Sequence, residues 1–167
     1  MICKNISVNE KGHLTFAGQD TTLLAERYGT PLYLLDEDRV RENCRTYVRS
    51  MSENFSDSLP LYASKALCFK KIYNIIADEG MGIDIVSSGE LYTALKADFP
   101  MERAYFHGNN KTPYDVAFAM EHGVGYFVCD NSLELELIDA EAARRGIRQK
   151  ILLRLTPGID PHTHKAI

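Results

Sequence analysis

Gly82-Ile83-Asp84-Ile85-Val86 is the stretch that decides the fold class of this chain. It is a short apolar run of strand length, closed by Ser87-Ser88-Gly89, with one charged residue set among isoleucines. Four further runs have the same form, at 59–63, 104–107, 126–130 and 150–155. Their starts are spaced by roughly 22 to 24 residues, enough for one strand, one helix of about ten residues and two short loops. The segments between them read as helices. Ile72, Ile75 and Ile76 follow the i, i+3, i+4 rule, and Ala117, Met120 and Glu121 follow it more weakly. Thr112-Pro113 puts an N-cap threonine before a proline at the first helical position, and Gly123 ends that helix. Asn131 caps the next, with Glu134 placed to reach back in a capping box. Repeated βα units with apolar strands make a parallel sheet covered by helices. A (β/α)8 TIM-type barrel and an open doubly wound sheet both satisfy this pattern. No G-x-G-x-x-G follows any strand, which disfavours the dinucleotide-binding form.

The chain ahead of this repeat has a different character. Residues 13–17 and 32–35 look like strands, with a short helix over 22–28 between them. Asp36 then caps a longer helix in which Val40, Cys44, Tyr47, Val48 and Met51 share one face. Residues 1–35 are therefore expected to form part of a β-rich second domain, and 36–167 the N-terminal part of the barrel. About five βα units are legible. A complete barrel takes about 250 residues and eight strands, so the sequence is expected to be the front portion of a longer protein, inactive by itself.

Composition is that of an ordinary globular protein. Hydrophobic residues make up 45% and charged residues 25%, and the formal net charge is -4. That charge gives no reason to expect nucleic acid as a partner. No apolar run is long enough to span a membrane, and the N-terminus lacks the apolar core of a signal peptide. The four cysteines, Cys3, Cys44, Cys68 and Cys129, form no C-x-x-C pair. Cys44 and Cys129 lie in apolar surroundings and read as buried thiols, and a cytoplasmic location fits best.

The polar residues inside the apolar strands are the informative ones. Asp84 sits between Ile83 and Ile85, and Arg154 between Leu153 and Leu155. Strand alternation turns each away from its apolar neighbours and toward a barrel interior. Lys65 follows Ala63 by two residues and should point the same way; His107 and Asp130 end the third and fourth strands. Buried charges are normally paired or bound to a ligand. A site and a structural ion-pair network closing the barrel mouth both fit these residues. Chemistry favours the site. A lysine among apolar walls loses proton affinity, and its neutral amine can attack an aldehyde to form a Schiff base. Pyridoxal phosphate supplies such an aldehyde and acts as an electron sink.

Four motifs then carry a resemblance. Tyr62-Ala63-Ser64-Lys65-Ala66 resembles the Y-A-x-K-A segment of the fold-type III pyridoxal-phosphate decarboxylases, a family that acts on ornithine, diaminopimelate and arginine. Gly82 to Leu91 resembles its G-x-D-V-V-S-G-G-E-L segment, with Ser88 in place of a glycine. His107-Gly108-Asn109-Asn110-Lys111 resembles the H-G-N-N-K segment of the diaminopimelate branch. Leu153 to Asp160 with His162-Thr163-His164 resembles the L-R-x-x-P-G-x-D-x-H-T-H segment. Their order and spacing agree over residues 30–167.

The resemblance implies a pyridoxal 5'-phosphate barrel followed by a β domain, a homodimer, and decarboxylation of meso-diaminopimelate to lysine. Lys65 would carry the cofactor and Ala63 would lie against its ring. Asp84 would sit near the Schiff base. Arg154 and Glu90 would belong to the surrounding cofactor site. His107, at a strand end, fits both a cofactor-lining place and a packing or hydrogen-bonding one. Asp160, His162 and His164 have the look of a metal trio, but loop position and the resemblance account for them without a metal. Two other readings stay open: another enzyme of the same barrel class, such as an ornithine or arginine decarboxylase or an amino-acid racemase, and a non-enzymatic truncated paralogue.

Overall fold

The computed structural model describes residues 4–155 and 157–158. It divides into two compact units, Met1–Asn43 and Cys44–Ile167.

In the first unit, strands β1 (Ile6–Val8), β2 (Leu14–Phe16) and β3 (Gln19–Asp20) form an antiparallel sheet in the order β1-β2-β3. The β2–β3 turn is Ala17-Gly18, both at positive φ (48° and 76°), the conformation that suits a two-residue hairpin. Helix α1 (Thr21–Tyr28) is capped by Asp20, whose carboxylate accepts from the Thr22 amide. Asp20 also receives the Thr22 hydroxyl and the Asn9 amide and lies 2.9 Å from His13 Nδ1; these bonds hold its carboxyl well below the usual range. The strand expected at 13–17 is present as β2. That expected at 32–35 is not: those residues are irregular and exposed, and Tyr33 is fully so. An apolar run becomes a strand only when a neighbouring backbone pairs with it, and no described strand does so here. β1 and β3, not expected from the sequence, are strands because they pair with β2. Asp36 caps α2 (Glu37–Asn54) as expected, accepting from the Arg39 amide.

In the second unit, five parallel strands carry the fold: β4 (Leu61–Ala63), β5 (Gly82–Ile85), β6 (Ala104–Phe106), β7 (Tyr126–Cys129) and β8 (Lys150–Leu153). Helices α3 (Lys70–Asp78), α4 (Ser88–Lys96), α5 (Pro113–Glu121) and α6 (Ser132–Arg145) alternate with them. The sheet order is β4-β5-β6-β7-β8. This order settles the choice that the repeat left open. A doubly wound sheet reverses direction partway, whereas a (β/α)8 barrel adds each strand beside the last. The described part of the second unit is thus five consecutive strands of a TIM-type barrel.

One face of the sheet meets the helices. Ile83, Ile85, Ala104, Phe106, Phe127 and Cys129 pack there, all buried, against Ile72, Tyr73, Ile75 and Ile76 of α3 and buried residues of α4, α5 and α6. On α5 the buried face is Val116, Ala119 and Met120, with Glu121 outside it, which corrects the weaker periodicity read there. Thr112 and Asp115 form a full capping box ahead of Pro113. Gly82 and Gly125 are required by packing. A Cβ on Gly125 would stand 2.2 Å from the Glu102 carbonyl oxygen, and one on Gly82 2.6 Å from that of Arg103.

Candidate functional site

The register of the parallel sheet builds the site. Ala63 pairs with Asp84, Asp84 with Tyr105, and Tyr105 with Tyr126, so these residues share the face turned away from the helices. Tyr105 and Tyr126 stack there with ring centroids 4.5 Å apart. Beyond this layer, toward the carboxyl ends of the strands, follow His107, Asp130 and Arg154. In barrels that end carries the chemistry.

Asp84 behaves as the alternation argument requires. Its neighbours Ile83 and Ile85 are fully buried on the helix side, and its own carboxylate is mostly shielded on the other. Oδ2 lies 3.9 Å from His107 Nδ1, while Oδ1 is buried and has no hydrogen-bond partner among the described residues. Burial raises the Asp84 pKa, and attraction from His107, Lys65 and Lys111 offsets this only in part. A buried acceptor without a donor is costly and marks a place built for one.

Lys65 is not on a strand. β4 ends at Ala63, and Ser64–Ala66 form a single 3-10 turn that carries the lysine. The strand-parity argument for Lys65 therefore fails, although the turn keeps its charge within electrostatic reach of Asp84. The side chain is exposed, so the apolar walls expected around it are not formed by the described residues. Ser64 beneath it is fully buried. Lys70 and Lys71 begin α3 and are exposed.

Arg154 pairs with Asp130, Nη1 to Oδ1 at 2.9 Å. The register explains the contact: β7 and β8 align Val128 with Leu152, which places Asp130 beside Arg154 one step further on. The structure thus brings the sequence-derived candidates together as two pairs, Asp84 with His107 and Asp130 with Arg154. Glu90 takes a supporting position. It is the third residue of α4, where Ser87 is the N-cap, and its Oε2 accepts the Val86 amide at 2.6 Å. It thereby fastens the end of β5, just past Asp84, to the start of α4. Asp160, His162, His164 and the rest of the H-T-H segment lie outside the described residues. No cluster able to hold a metal occurs among the described residues.

Sequence reasoning missed the partnership of Lys111 and Glu134. Both side chains are buried, and Nζ lies 2.7 Å from Oε1. Lys111 also donates to the carbonyls of Gly108 (2.7 Å) and Val128 (2.9 Å), so all three ammonium protons are engaged. Glu134 was expected to close a capping box on Asn131. Its Oε2 instead accepts the amide of Asp130, one residue earlier, and Asn131 caps Glu134 alone. The local pattern could not reveal this, because a glutamate at the third helical position is normally exposed and the lysine is 23 residues away.

The site's parts suit pyridoxal phosphate. They offer an accessible amine at Lys65, an unpartnered buried carboxylate oxygen at Asp84 and a guanidinium at Arg154. A family model described as the pyridoxal-binding domain of pyridoxal-dependent decarboxylases matches residues 38–167. The chain is 46% identical over 160 residues to the diaminopimelate decarboxylase of Bacillus methanolicus, covering 96% of this chain and 37% of that protein. It is 41% identical over 159 residues to the diaminopimelate decarboxylase of Bacillus subtilis (strain 168), covering 95% and 36%. The crystal structure of diaminopimelate decarboxylase from M. jannaschii in co-complex with L-lysine superposes with a TM-score of 0.85 at 30% identity, covering 98% of this chain and 38% of that one. The chain therefore spans little more than a third of the length of these relatives. No helix among the described residues is long and apolar enough to cross a membrane.

Proposed function

Because the chain belongs to the pyridoxal-dependent decarboxylases through their pyridoxal-binding domain, we propose that the whole protein converts meso-2,6-diaminopimelate to L-lysine with pyridoxal phosphate. The observation that carries this reading is the juxtaposition of an accessible Lys65 with the half-buried, under-bonded Asp84 at the carboxyl end of a parallel sheet. The likeness to diaminopimelate decarboxylases over nearly the whole chain supports the choice of substrate.

When bound, pyridoxal phosphate supplies an electron sink for the carbanion left by loss of carbon dioxide. The chain's own residues bind and orient. Lys65 would hold the cofactor through its side-chain amine. Ala63, small and in register with Asp84, leaves room for a flat ring. Asp84 offers its free oxygen as an acceptor and a negative charge, with His107 beside it. Arg154, held by Asp130, contributes a fixed positive charge to the cofactor site. Glu90 keeps the end of β5 in place. Residues 1–35 belong to a second, β-rich domain, the protein acts as a homodimer, and it resides in the cytoplasm.

The test is direct. With pyridoxal phosphate present, the protein should release carbon dioxide from meso-diaminopimelate and much less from ornithine or arginine. A preference for ornithine would place it in another branch of the family, and no release from any of them would overturn the reading.

A further inference from the structure

We propose that Lys111 and Glu134 form a positioning clamp that sets the site-facing ends of β6 and β7, and with them His107 and Asp130. The proposal rests on the reading of that end as the cofactor site. The paired ladder between β6 and β7 covers only Tyr105 with Tyr126 and Phe106 with Phe127, whereas that between β7 and β8 runs for four residue pairs. Past Phe106 the ladder stops and the clamp takes over. Lys111 joins the Gly108 carbonyl, next to His107, to the Val128 carbonyl of β7. Glu134 holds the Asp130 amide with its second oxygen. Of the two site pairs, Asp130 with Arg154 is tied to the clamp through the Asp130 amide, and Asp84 with His107 through Gly108, the residue after His107.

The energetics favour a directional role over simple stabilisation. The Lys111 and Glu134 side chains are 2% and 4% exposed. Taking two charges so far out of water costs as much as their attraction returns, and apolar residues of the same size often hold a core as well or better. What an apolar pair cannot do is aim bonds at two carbonyls and an amide. Glu90 makes the equivalent bond to the Val86 amide with no lysine partner among the described residues, so fastening a helix start to its strand does not by itself call for the pair. The lysine adds the link between β6 and β7.

The experiment compares the intact protein with its Lys111→Met/Glu134→Leu double variant. Without cofactor, amide hydrogen exchange is followed at His107, which donates to Ile85, and at Asp130, against amides at the sheet centre. Pyridoxal phosphate affinity is then measured by absorbance. The expected result is an unchanged or higher melting midpoint, exchange at His107 and Asp130 at least about tenfold faster, and affinity at least about tenfold weaker. Unchanged exchange and affinity would overturn the proposal, as would a uniform loss of protection across the sheet. Should the double variant fail to fold, Glu134→Gln replaces it: one amide oxygen can still accept from Lys111, and the Asp130 amide loses its acceptor. Exchange should then quicken at Asp130 more than at His107, and equal exchange to wild type would refute the clamp. A wild-type protein that does not bind pyridoxal phosphate would defeat the functional reading, while the exchange data still judge the clamp.

Discussion

Replacing Asp84 with asparagine removes one charge from the polar face of the sheet and preserves shape. In the cofactor-free protein this should be stabilising. The Asp84 side chain is 27% exposed and one of its oxygens is buried without a donor. The asparagine oxygen is still an acceptor, so what the substitution removes is the charge. A partly buried carboxylate without a donor costs about 1 kcal/mol more than a neutral amide there, the low end of the about 1–3 kcal/mol for an unsatisfied buried group. For a chain of this size that is a rise in Tm of about 2–4 °C. The sign follows from the direction of the shift. Burial raises the Asp84 pKa in spite of His107, Lys65 and Lys111, so folding penalises the carboxylate. The penalty is fully present above the folded-state pKa and fades as pH falls through it toward the unfolded value. The gain from asparagine should therefore appear at about pH 7.5 and vanish at about pH 3, where wild-type Asp84 is neutral. Thermal melts of both proteins without cofactor, at the two pH values, measure this directly. A variant that melts below wild type at neutral pH, or a gain that persists unchanged in acid, would refute the reasoning. The same substitution should weaken retention of pyridoxal phosphate, because the charge that costs stability is the one proposed to serve the cofactor.

Borohydride reduction of the loaded protein should fix the cofactor to the Lys65 peptide; a label on Lys70, Lys71 or Lys111 would displace the assignment. Lys111→Met alone should cost about 3–5 kcal/mol in urea denaturation, since it strands a buried Glu134 carboxylate, and adding Glu134→Leu should recover the whole of that loss. Gly125→Ala should destabilise by about 3 kcal/mol, because its Cβ would meet the Glu102 carbonyl oxygen at 2.2 Å and a backbone atom cannot swing aside. The Glu141 carboxyl, hydrogen-bonded by Arg144 and Arg145, is held down to about 2, so carboxyl NMR should find it still largely charged at about pH 3, and a double alanine variant of the two arginines should titrate in the ordinary range.

By itself the sequence determined the features that depend on local periodicity. Five strands fall within the five apolar runs, because burial on the helix side demands residues such as Ile83, Phe106 and Phe127 at alternate positions. The same alternation placed Asp84 on the opposite face, and the caps at Thr112 and Asn131 follow from side chains adjacent to the backbone groups they satisfy. Tertiary structure decided everything that depends on which backbone lies beside which. Strand order separated the barrel from the doubly wound sheet. Register set Asp130 against Arg154 across 24 residues of chain. The run at 32–35 found no ladder partner among the described residues and stayed irregular, and β4 gave way to a turn before Lys65. Lys111 met Glu134 only because the loop after β6 and the first turn of α6 converge behind the ends of β6 and β7. Side-chain direction along a strand is set by the residue's own φ and ψ, and so is written in the neighbouring sequence; a contact between distant segments is set by the packing of the whole sheet, and no local pattern encodes it.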